Sequence, residues 1–396
     1  MTGRRFIGYG AALVVGAAVG TLVALGVAAA FDEPDIELPV PKDVASAPVE
    51  ATPSPVAAIP KKRPRVLLAW ATGGLPSTAE TVLEEMREVA RVTTVRAGVD
   101  WLAAGGRMPG AAIPLEVAIV RPREYARFVA PAERPAVLGL ERGEALLPPD
   151  DPQRRQPAAG RLRLVDRTVR VVGRIDEVAT SGYEVLLAGP DPASWDRVDR
   201  FLLIQLRDPR ARGRIQRTLR SLLGPGQSLR VRAKGETPFL RYGDAVLPQL
   251  SVKNTFGEFA ARPLPDGRIE VDPRWIDANI RTAQVPILGK VACHRTLIPQ
   301  LRAALAEVRA EGLGHTINTS QYGGCYGPRF IGLEPGGRLS HHTWGIAIDI
   351  NVAENAFGTR PTQDPRLVAI MEDHGFTWGG RWLFPDGMHF EWVAFP

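Results

Sequence analysis

The segment "SHHTWGIAIDIN", residues Ser340–Asn351, contains the pattern that decides how the C-terminal part of the chain folds. After Gly345, isoleucines alternate with small or polar residues, and a period of two is typical of a β-strand. The pattern predicts that the isoleucines face the core and that Asp349 and the small Ala347 lie on the opposite face. His342 comes just before this strand and, by the same parity, lies on the Asp349 side.

A second segment, "FPDGMHFEW" at Phe384–Trp392, ends in another predicted strand, on which His389 faces away from the apolar residues. Imidazole nitrogens and carboxylate oxygens are ligands that zinc takes in proteins. Together with His389, the residues His342 and Asp349 make a three-ligand set that leaves a fourth position for water, as in catalytic zinc sites. Asp386 lies at a predicted turn, three residues before His389. It is therefore a candidate general base for that water.

The two motifs carry a resemblance to a known family. "S-x-H-x-x-G-x-A-x-D" at residues 340–349, followed by "D-x-x-H-F-E" at residues 386–391, resembles the zinc cell-wall peptidases. That family includes VanY-type D-Ala-D-Ala carboxypeptidases and phage L-alanyl-D-glutamate endopeptidases. The resemblance covers about residues 270–396 and nothing before them. It implies an α+β domain that acts on the stem peptides of peptidoglycan.

The resemblance also implies roles for individual residues. It makes His342, Asp349 and His389 the ligands of a Zn²⁺ ion. Asp386 becomes the catalytic base, which is an aspartate in the endopeptidase branch and a glutamate in the carboxypeptidase branch, so this residue favours the former. Arg329, in "GGCYGPRFIG", is implied to bind a carbonyl or carboxylate group of the substrate.

Other residues near the motifs are open to more than one interpretation. Glu391 is either a residue that orients a ligand histidine or a surface acid. His341 is expected to point away from His342 by parity, as a solvent-exposed side chain or a minor substrate contact. Structural roles are expected for His315 and His374. Three tryptophans either line a groove or pack in the core: Trp344, Trp378 and Trp382.

The chain has two cysteines, Cys293 and Cys325. Outside the cytoplasm such a pair within one domain predicts a disulfide, and two buried free thiols are the alternative. The bridge would join the segment before a predicted helix at residues 297–313 to the loop that carries Arg329. His294 beside Cys293 suggests a metal pair, but because no second Cys-x-x-Cys element exists, the disulfide is the better interpretation.

The N-terminal segment has the features of a membrane helix. Arg4 and Arg5 precede 26 uncharged residues, Phe6–Phe31. A run of this length is long enough to span a bilayer, and the two arginines favour a cytoplasmic N-terminus. Residues 1–32 are therefore predicted to be a transmembrane anchor that places the rest of the chain outside the cytoplasm. Ala28–Ala30 would permit signal-peptide cleavage, which would give a secreted protein instead.

The rest of the chain divides into three parts, and the fold class predicted for its folded portion is α+β. Residues 33–64 repeat proline with small residues, which predicts an extended linker. Residues 65–262 are predicted to form an α+β domain, and because they contain neither histidine nor cysteine, no role or protein partner follows for them. Residues 266–396, the predicted zinc peptidase domain, contain all six histidines and both cysteines.

Local patterns within residues 65–262 predict individual elements. Ser77 and Glu80 fit a capping box. Apolar residues then continue at helical spacing: Val82, Met86 and Val89. The alternating stretch at residues 160–175 predicts two strands joined in a hairpin at Asp166–Arg167.

The charge pattern excludes one class of partner. The formal charge is +6, and arginine is the main source of positive charge, since only six of the 49 lysine and arginine residues are lysines. The arginines are scattered among acids instead of clustered with aromatic residues. No nucleic-acid surface is predicted from such a pattern. The function predicted is that of a zinc peptidase held in the cell envelope that cuts amide bonds of the peptidoglycan stem peptide. The alternative is a non-catalytic module that binds or senses peptidoglycan.

Overall fold

The computed structural model describes residues 64–103, 108–149, 160–193, 195, 197–244 and 247–394. The predicted membrane anchor and the linker up to residue 63 lie outside the described residues. Within the described part of the chain, no helix combines the length and the apolar character that a membrane crossing requires. The described residues belong to one compact unit, Glu50–Pro396.

A large mixed sheet organises the first part of the structure, and the described residues contribute eleven strands to it. Their bounds are β1 Val66–Ala71, β2 Val89–Ala103, β3 Ala112–Val120, β4 Glu144–Leu147, β5 Arg161–Arg163, β6 Thr168–Arg174, β7 Val185–Ala188, β8 Asp199–Leu206, β9 Leu229–Ala233, β10 Ala261–Pro263 and β11 Ile269–Val271. Nine of them follow the order β5-β6-β4-β7-β3-β2-β8-β1-β9, while β10 pairs with β3 and with β11.

Apolar side chains cover both faces of this sheet. In β1, Leu67 and Ala69 belong to one buried cluster, whereas Leu68 and Trp70 belong to another, as the two-residue period of a strand requires. Short helices pack against the sheet and contribute side chains to the two clusters. Their bounds are α1 Ala79–Glu84, α2 Pro122–Tyr125, α3 Arg134–Leu138 and α4 Arg212–Ser221. Helices α1 and α4 pack on the Leu67 side, and α2 and α3 pack on the Leu68 side.

The helix predicted after Ser77 is shorter than its apolar spacing indicated. Helix α1 ends at Glu84, and Val89 begins β2, because the backbone from there on pairs with β8. The predicted capping box is wrong: Thr78 is the residue at the N-cap, without a side-chain cap. Glu80 instead pairs with Arg121 and accepts a hydrogen bond from a threonine of β2. The predicted hairpin at Asp166–Arg167 is confirmed by the pairing of β5 with β6.

The C-terminal part contains smaller sheets packed around a helix. Its elements are α5 Gln249–Phe256, α6 Pro273–Asn279, β12 Ile280–Val285, β13 Gly289–His294, α7 Leu297–Ala310, β14 Ala347–Asp349, α8 Pro365–Asp373, β15 Phe376–Trp378 and β16 His389–Trp392. Strands β12 and β13 form a hairpin, and β14, β16 and β15 form a three-stranded antiparallel sheet in that order. Helix α7 lies within the helix predicted at residues 297–313 and buries the apolar side chains Leu301, Leu305 and Val308.

The mixed α+β class is confirmed for the described residues, while the division into domains at residues 262–266 stays a prediction. Helix α5 contacts both parts of the structure. Its Val252 and Phe256 join the C-terminal core, whereas the Gln249 side chain donates to Glu184 of the large-sheet region at 2.8 Å.

The predicted disulfide is confirmed: Cys293, in β13, is bonded to Cys325, with 5.3 Å between their Cα atoms. The bridge closes a loop with a sequence separation of 32 residues and fastens the segment that carries Arg329 to β13. Replacing both cysteines by serine is expected to lower the free energy of unfolding by about 3 kcal/mol, because the unfolded chain gains freedom. Urea unfolding of both proteins measures this difference. Two thiols that react in denatured, unreduced protein from an oxidising compartment would contradict the bridge.

Candidate metal centre

A short turn presents His342. Residues His341–Trp344 form one turn of 3₁₀ helix, and the Ser340 hydroxyl caps it by accepting the His342 N–H at 3.3 Å. The turn ends at Gly345, which has a φ of 66°. A Cβ atom at this position would lie 2.8 Å from the backbone nitrogen of His294. Glycine is therefore required both by the left-handed backbone and by the close approach of β13.

Strand pairing brings the other two predicted ligands together. In the antiparallel pair β14–β16, Asp349 lies directly opposite His389, and Ala347 lies opposite Glu391. Directly opposed residues project from the same face of a sheet. The face predicted from the period of two is thus confirmed, and the small Ala347 leaves space beside the polar side chains.

The three predicted ligand atoms converge in the interior. His342 Nε2 lies 3.0 Å from Asp349 Oδ1 and 3.2 Å from His389 Nδ1, and the last two atoms are 3.0 Å apart. All three residues are buried, and among the described residues they form the one group of histidine, cysteine and acidic side chains that could hold a metal ion. Ligands around a tetrahedral zinc with bonds of about 2.0 Å are about 3.3 Å apart, so the donor set fits the ion.

The hydrogen bond on the far side of His342 fixes its tautomer. His342 Nδ1 lies 2.8 Å from the backbone oxygen of Cys325, so this nitrogen carries the proton and donates it. Burial, helped by the nearby charge of Arg329, lowers the pKa of His342 to about 4, so the ring is neutral at pH 7. The lone pair on Nε2 therefore faces the Asp349 carboxylate, an arrangement that a cation between them stabilises.

His389 has an acidic partner on its other nitrogen. Its Nε2 lies 3.4 Å from Glu391 Oε2, and the same oxygen lies 2.8 Å from His341 Nδ1. Burial alone would lower the pKa of His389, but its hydrogen bonds with Asp349 and Glu391 raise it to about 10. A proton on His389 is what a metal ion would displace, so metal affinity is expected to rise with pH.

These contacts decide two interpretations that the sequence left open. Glu391 is buried and not a surface acid, so its contact with His389 favours the orienting role. Burial alone would raise the pKa of Glu391, but His341 and His389 hold it well below its usual range. His341 is buried against this carboxylate, so the predicted solvent exposure is wrong. The parity argument failed because residues in a 3₁₀ turn do not alternate between two faces.

Arg329 and Asp386 lie around the converging atoms. The Arg329 guanidinium donates to Asp349 Oδ2 at 3.2 Å, and 29% of its side chain is exposed, so the group also reaches solvent. Asp386 has a buried Oδ1 for which the described residues provide no hydrogen-bond partner. Burial raises the pKa of Asp386 to about 6, against the opposing effect of His389. A carboxyl with this pKa changes protonation near the pH at which a general base operates.

The remaining histidines lie apart from this centre. His294 contacts Thr296 Oγ1 through Nδ1 at 2.7 Å and packs edge-on against Phe256. His315 and His374 contact neighbouring polar groups, consistent with structural roles. Trp344 is fully buried and donates to a backbone oxygen, so it packs in the core and does not line a groove.

Sequence reasoning missed one feature of the site and left another open. The backbone oxygen of Cys325 is a partner of His342, and no side-chain pattern could reveal a main-chain acceptor. Trp382 lies with its ring centre 5.2 Å from that of His389, close beside the converging atoms. Its sequence position, four residues before Asp386, was compatible with this location but did not single it out.

Comparison with family models gives a match to the segment that contains the converging donor atoms. Residues 334–392 match a family model described as D-alanyl-D-alanine carboxypeptidase, which supports a peptidase, that is, a hydrolase. The matched segment includes His342, Asp349, Asp386 and His389 but not Arg329.

Comparison with solved structures returns a domain from Porphyromonas gingivalis, from a protein described as a permease. The two are 13% identical, with 48% of this chain and 97% of that chain covered and a TM-score of 0.30. No curated protein matches the chain.

Proposed function

We propose that this protein is a zinc-dependent peptidase that hydrolyses amide bonds in the stem peptide of peptidoglycan. The observation that carries the proposal is the convergence of three donor atoms within 3.2 Å of one another near Asp386, whose buried Oδ1 has no hydrogen-bond partner among the described residues. The carboxypeptidase family that matches residues 334–392 supports this substrate class. Cleavage is of the L-alanyl-D-glutamate endopeptidase or the D-Ala-D-Ala carboxypeptidase type.

The zinc ion would be held by His342 Nε2, Asp349 Oδ1 and His389 Nδ1. When bound, zinc would act as a Lewis acid on the scissile carbonyl. It would also lower the pKa of the attacking water to about 7, so that this water can lose a proton at neutral pH. Around it, the Cys325 oxygen and the Glu391 carboxylate orient the two imidazoles, as outer partners of metal ligands commonly do.

Two other side chains supply the remaining chemistry. Asp386 accepts the proton of the attacking water, since the described part of the chain offers no competing hydrogen bond to its Oδ1 and its pKa of about 6 leaves it ionised at pH 7. It then gives the proton to the leaving amine. Arg329 reaches solvent from beside Asp349 and donates hydrogen bonds to a carbonyl or carboxylate of the peptide.

We further propose that the protein acts outside the cytoplasm, attached to the membrane by residues 1–32. The uncharged run after Arg5 supports the anchor, and the Cys293–Cys325 disulfide supports an oxidising compartment. If the N-terminal segment is cleaved, the same reasoning gives a secreted enzyme.

Purified chain loaded with zinc, incubated with stem pentapeptides and with muropeptides, tests the activity. We expect mass spectrometry to detect either release of the terminal D-alanine or cleavage between L-alanine and D-glutamate. The first product identifies a carboxypeptidase and the second an endopeptidase. Zinc and peptidoglycan binding without either product would contradict the proposal and favour the non-catalytic binding module.

A further inference from the structure

The residues just before β16 form a closed loop, residues 379–386, which we call the base loop because it ends in Asp386. The Gly379 oxygen closes it by accepting the backbone N–H groups of Asp386 and Trp382, each at 3.0 Å. The base loop therefore carries both the proposed base and the aromatic ring beside His389. These closing bonds join Gly379, Trp382 and Asp386, and Leu383 makes neither of them.

The outer edge of the base loop is held by the region formed by residues 65–262. Asp244 Oδ2 accepts the Leu383 N–H at 2.6 Å, and Arg230, in β9, donates to the Arg381 oxygen at 3.2 Å. The Leu383 side chain packs against the buried cluster that includes Trp70 of β1. The backbone of the base loop and the side chain of Leu383 thus both contact the large-sheet region.

The acceptor in this contact, Asp244, is also held by ion pairs with two arginines of the sheet. Asp244 Oδ1 pairs with Arg230 at 3.2 Å and with Arg232 at 2.5 Å, and only 7% of the Asp244 side chain is exposed. A hydrogen bond to an ionised carboxylate is stronger than one between neutral groups. One oxygen of Asp244 therefore binds the sheet through arginines while the other binds the base loop.

A second contact acts on the segment that leads to His342. Arg338 lies over the ring of Tyr242, with 5.3 Å from its guanidinium carbon to the ring centre, and its Nε is 3.5 Å from Asp199 Oδ2. Tyr242 precedes Asp244 by two residues. One short stretch of the large-sheet region thus contacts both the base loop and the segment that leads to His342.

We infer that Asp244 is a positioning residue, through which residues 65–262 hold the base loop so that Asp386 faces the metal centre. This inference rests on the proposed peptidase function. It gives a role to a region for which the sequence indicated none. Its physical basis is that a catalytic group displaced by about 1 Å can lose about 100-fold in rate.

The test compares three variants of the purified full chain with the unaltered protein. Asp244→Ala removes the acceptor, and Asp244→Asn keeps an oxygen that accepts the Leu383 N–H. Glu236→Ala is the matched control, since Glu236 likewise accepts a backbone N–H, from Ala233 at 2.9 Å, and pairs with an arginine, but does not contact the base loop. Zinc content, hydrogen exchange of residues 379–386, kcat and KM are measured for each.

For Asp244→Ala we expect exchange in the base loop to become at least about 10-fold faster, with unchanged zinc content. We expect kcat to fall by about 10-fold or more while KM changes little, because the base is misplaced and the peptide contacts remain. Asp244→Asn should restore most of the protection and activity, and Glu236→Ala should resemble the unaltered protein in both.

Unchanged exchange in Asp244→Ala, or faster exchange with unchanged kcat, would overturn the inference. A loss equal in Asp244→Ala and Glu236→Ala would also overturn it, since it would reflect general destabilisation. If the unaltered protein cleaves no stem peptide, the proposed function fails, and the exchange measurement still decides whether Asp244 holds the loop.

Discussion

Replacing Asp386 by asparagine is expected to lower the turnover of stem peptide by about 100-fold or more, while zinc stays bound. Asparagine keeps the shape of the side chain but cannot accept the proton of the attacking water. None of the three converging donor atoms belongs to Asp386, so the metal content should not change. Substrate affinity should change little, and steady-state kinetics at equal zinc loading separates kcat from KM.

The pH dependence of the same pair of proteins sharpens the test. Burial raises the pKa of Asp386 from 3.8 to about 6, so the activity of the unaltered protein should rise with pH as this carboxyl ionises. The positive charge of zinc shifts that rise to lower pH. In Asp386→Asn the rise should disappear from the residual activity. Unchanged turnover in this variant would show that Asp386 is not the base.

The raised pKa of Asp386 also makes the folded state less stable as the pH rises. Between about pH 4 and pH 6 the folded chain binds more protons at Asp386 than the unfolded chain, so its contribution to stability is lost as the pH rises through this window. A shift from 3.8 to about 6 corresponds to at most about 3 kcal/mol at pH 7. Without added zinc, Asp386→Asn should therefore unfold at the same or a higher urea concentration than the unaltered protein.

Replacing His342 by alanine is expected to remove zinc and activity together. One of three protein ligands is lost, so the affinity for zinc should fall. Removing a residue that only orients a ligand can lower metal affinity by roughly 100-fold, and removing a ligand should lower it by more. Elemental analysis after zinc-supplemented purification measures the metal content. The unaltered protein should hold one zinc per chain, and less than about a tenth of an equivalent in that protein would contradict the zinc assignment.

His374→Ala is the matched control for His342→Ala. His374 also contacts a carboxylate, with 2.7 Å between its Nε2 and Glu307 Oε2, but it lies away from the converging donor atoms. This variant should keep its zinc and its activity. A His342→Ala protein that retains a full equivalent of zinc, with a far-UV spectrum like that of the unaltered protein, would show that His342 is not a ligand.

The sequence predicted the parts of the centre that depend on local periodicity. The alternation around Asp349 and that of the strand containing His389 place both side chains on one face, and the antiparallel pairing of β14 with β16 agrees with this. Periodicity failed at His341, because a 3₁₀ turn follows another rule, and at Val89, because pairing with β8 outweighs helical spacing. The role of His342, Asp349 and His389 as zinc ligands stays a prediction.

Other features could not be predicted because they join residues far apart in the chain or involve the backbone. Asp244 and Leu383 are 139 residues apart, and neither lies in a motif that names the other as a partner. The oxygen of Cys325 that orients His342 belongs to the main chain, which every residue carries. Periodicity reports which face a side chain occupies, whereas such contacts depend on how distant elements pack.

The β10–β11 hairpin determines where this chain can be shortened or recombined. Strand β10 pairs with β3 through Ala261. The residues after β10 form hydrogen bonds with the two neighbours of Arg329. The Ile269 N–H donates to the Pro328 oxygen at 3.2 Å, and the Phe330 N–H donates to the Gly267 oxygen at 2.9 Å. A truncation or gene fusion made between residues 262 and 266 would separate the two strands of this hairpin. Recombinant peptidase segments, or chimaeras that exchange one half of the protein, should therefore retain the hairpin intact together with helix α5.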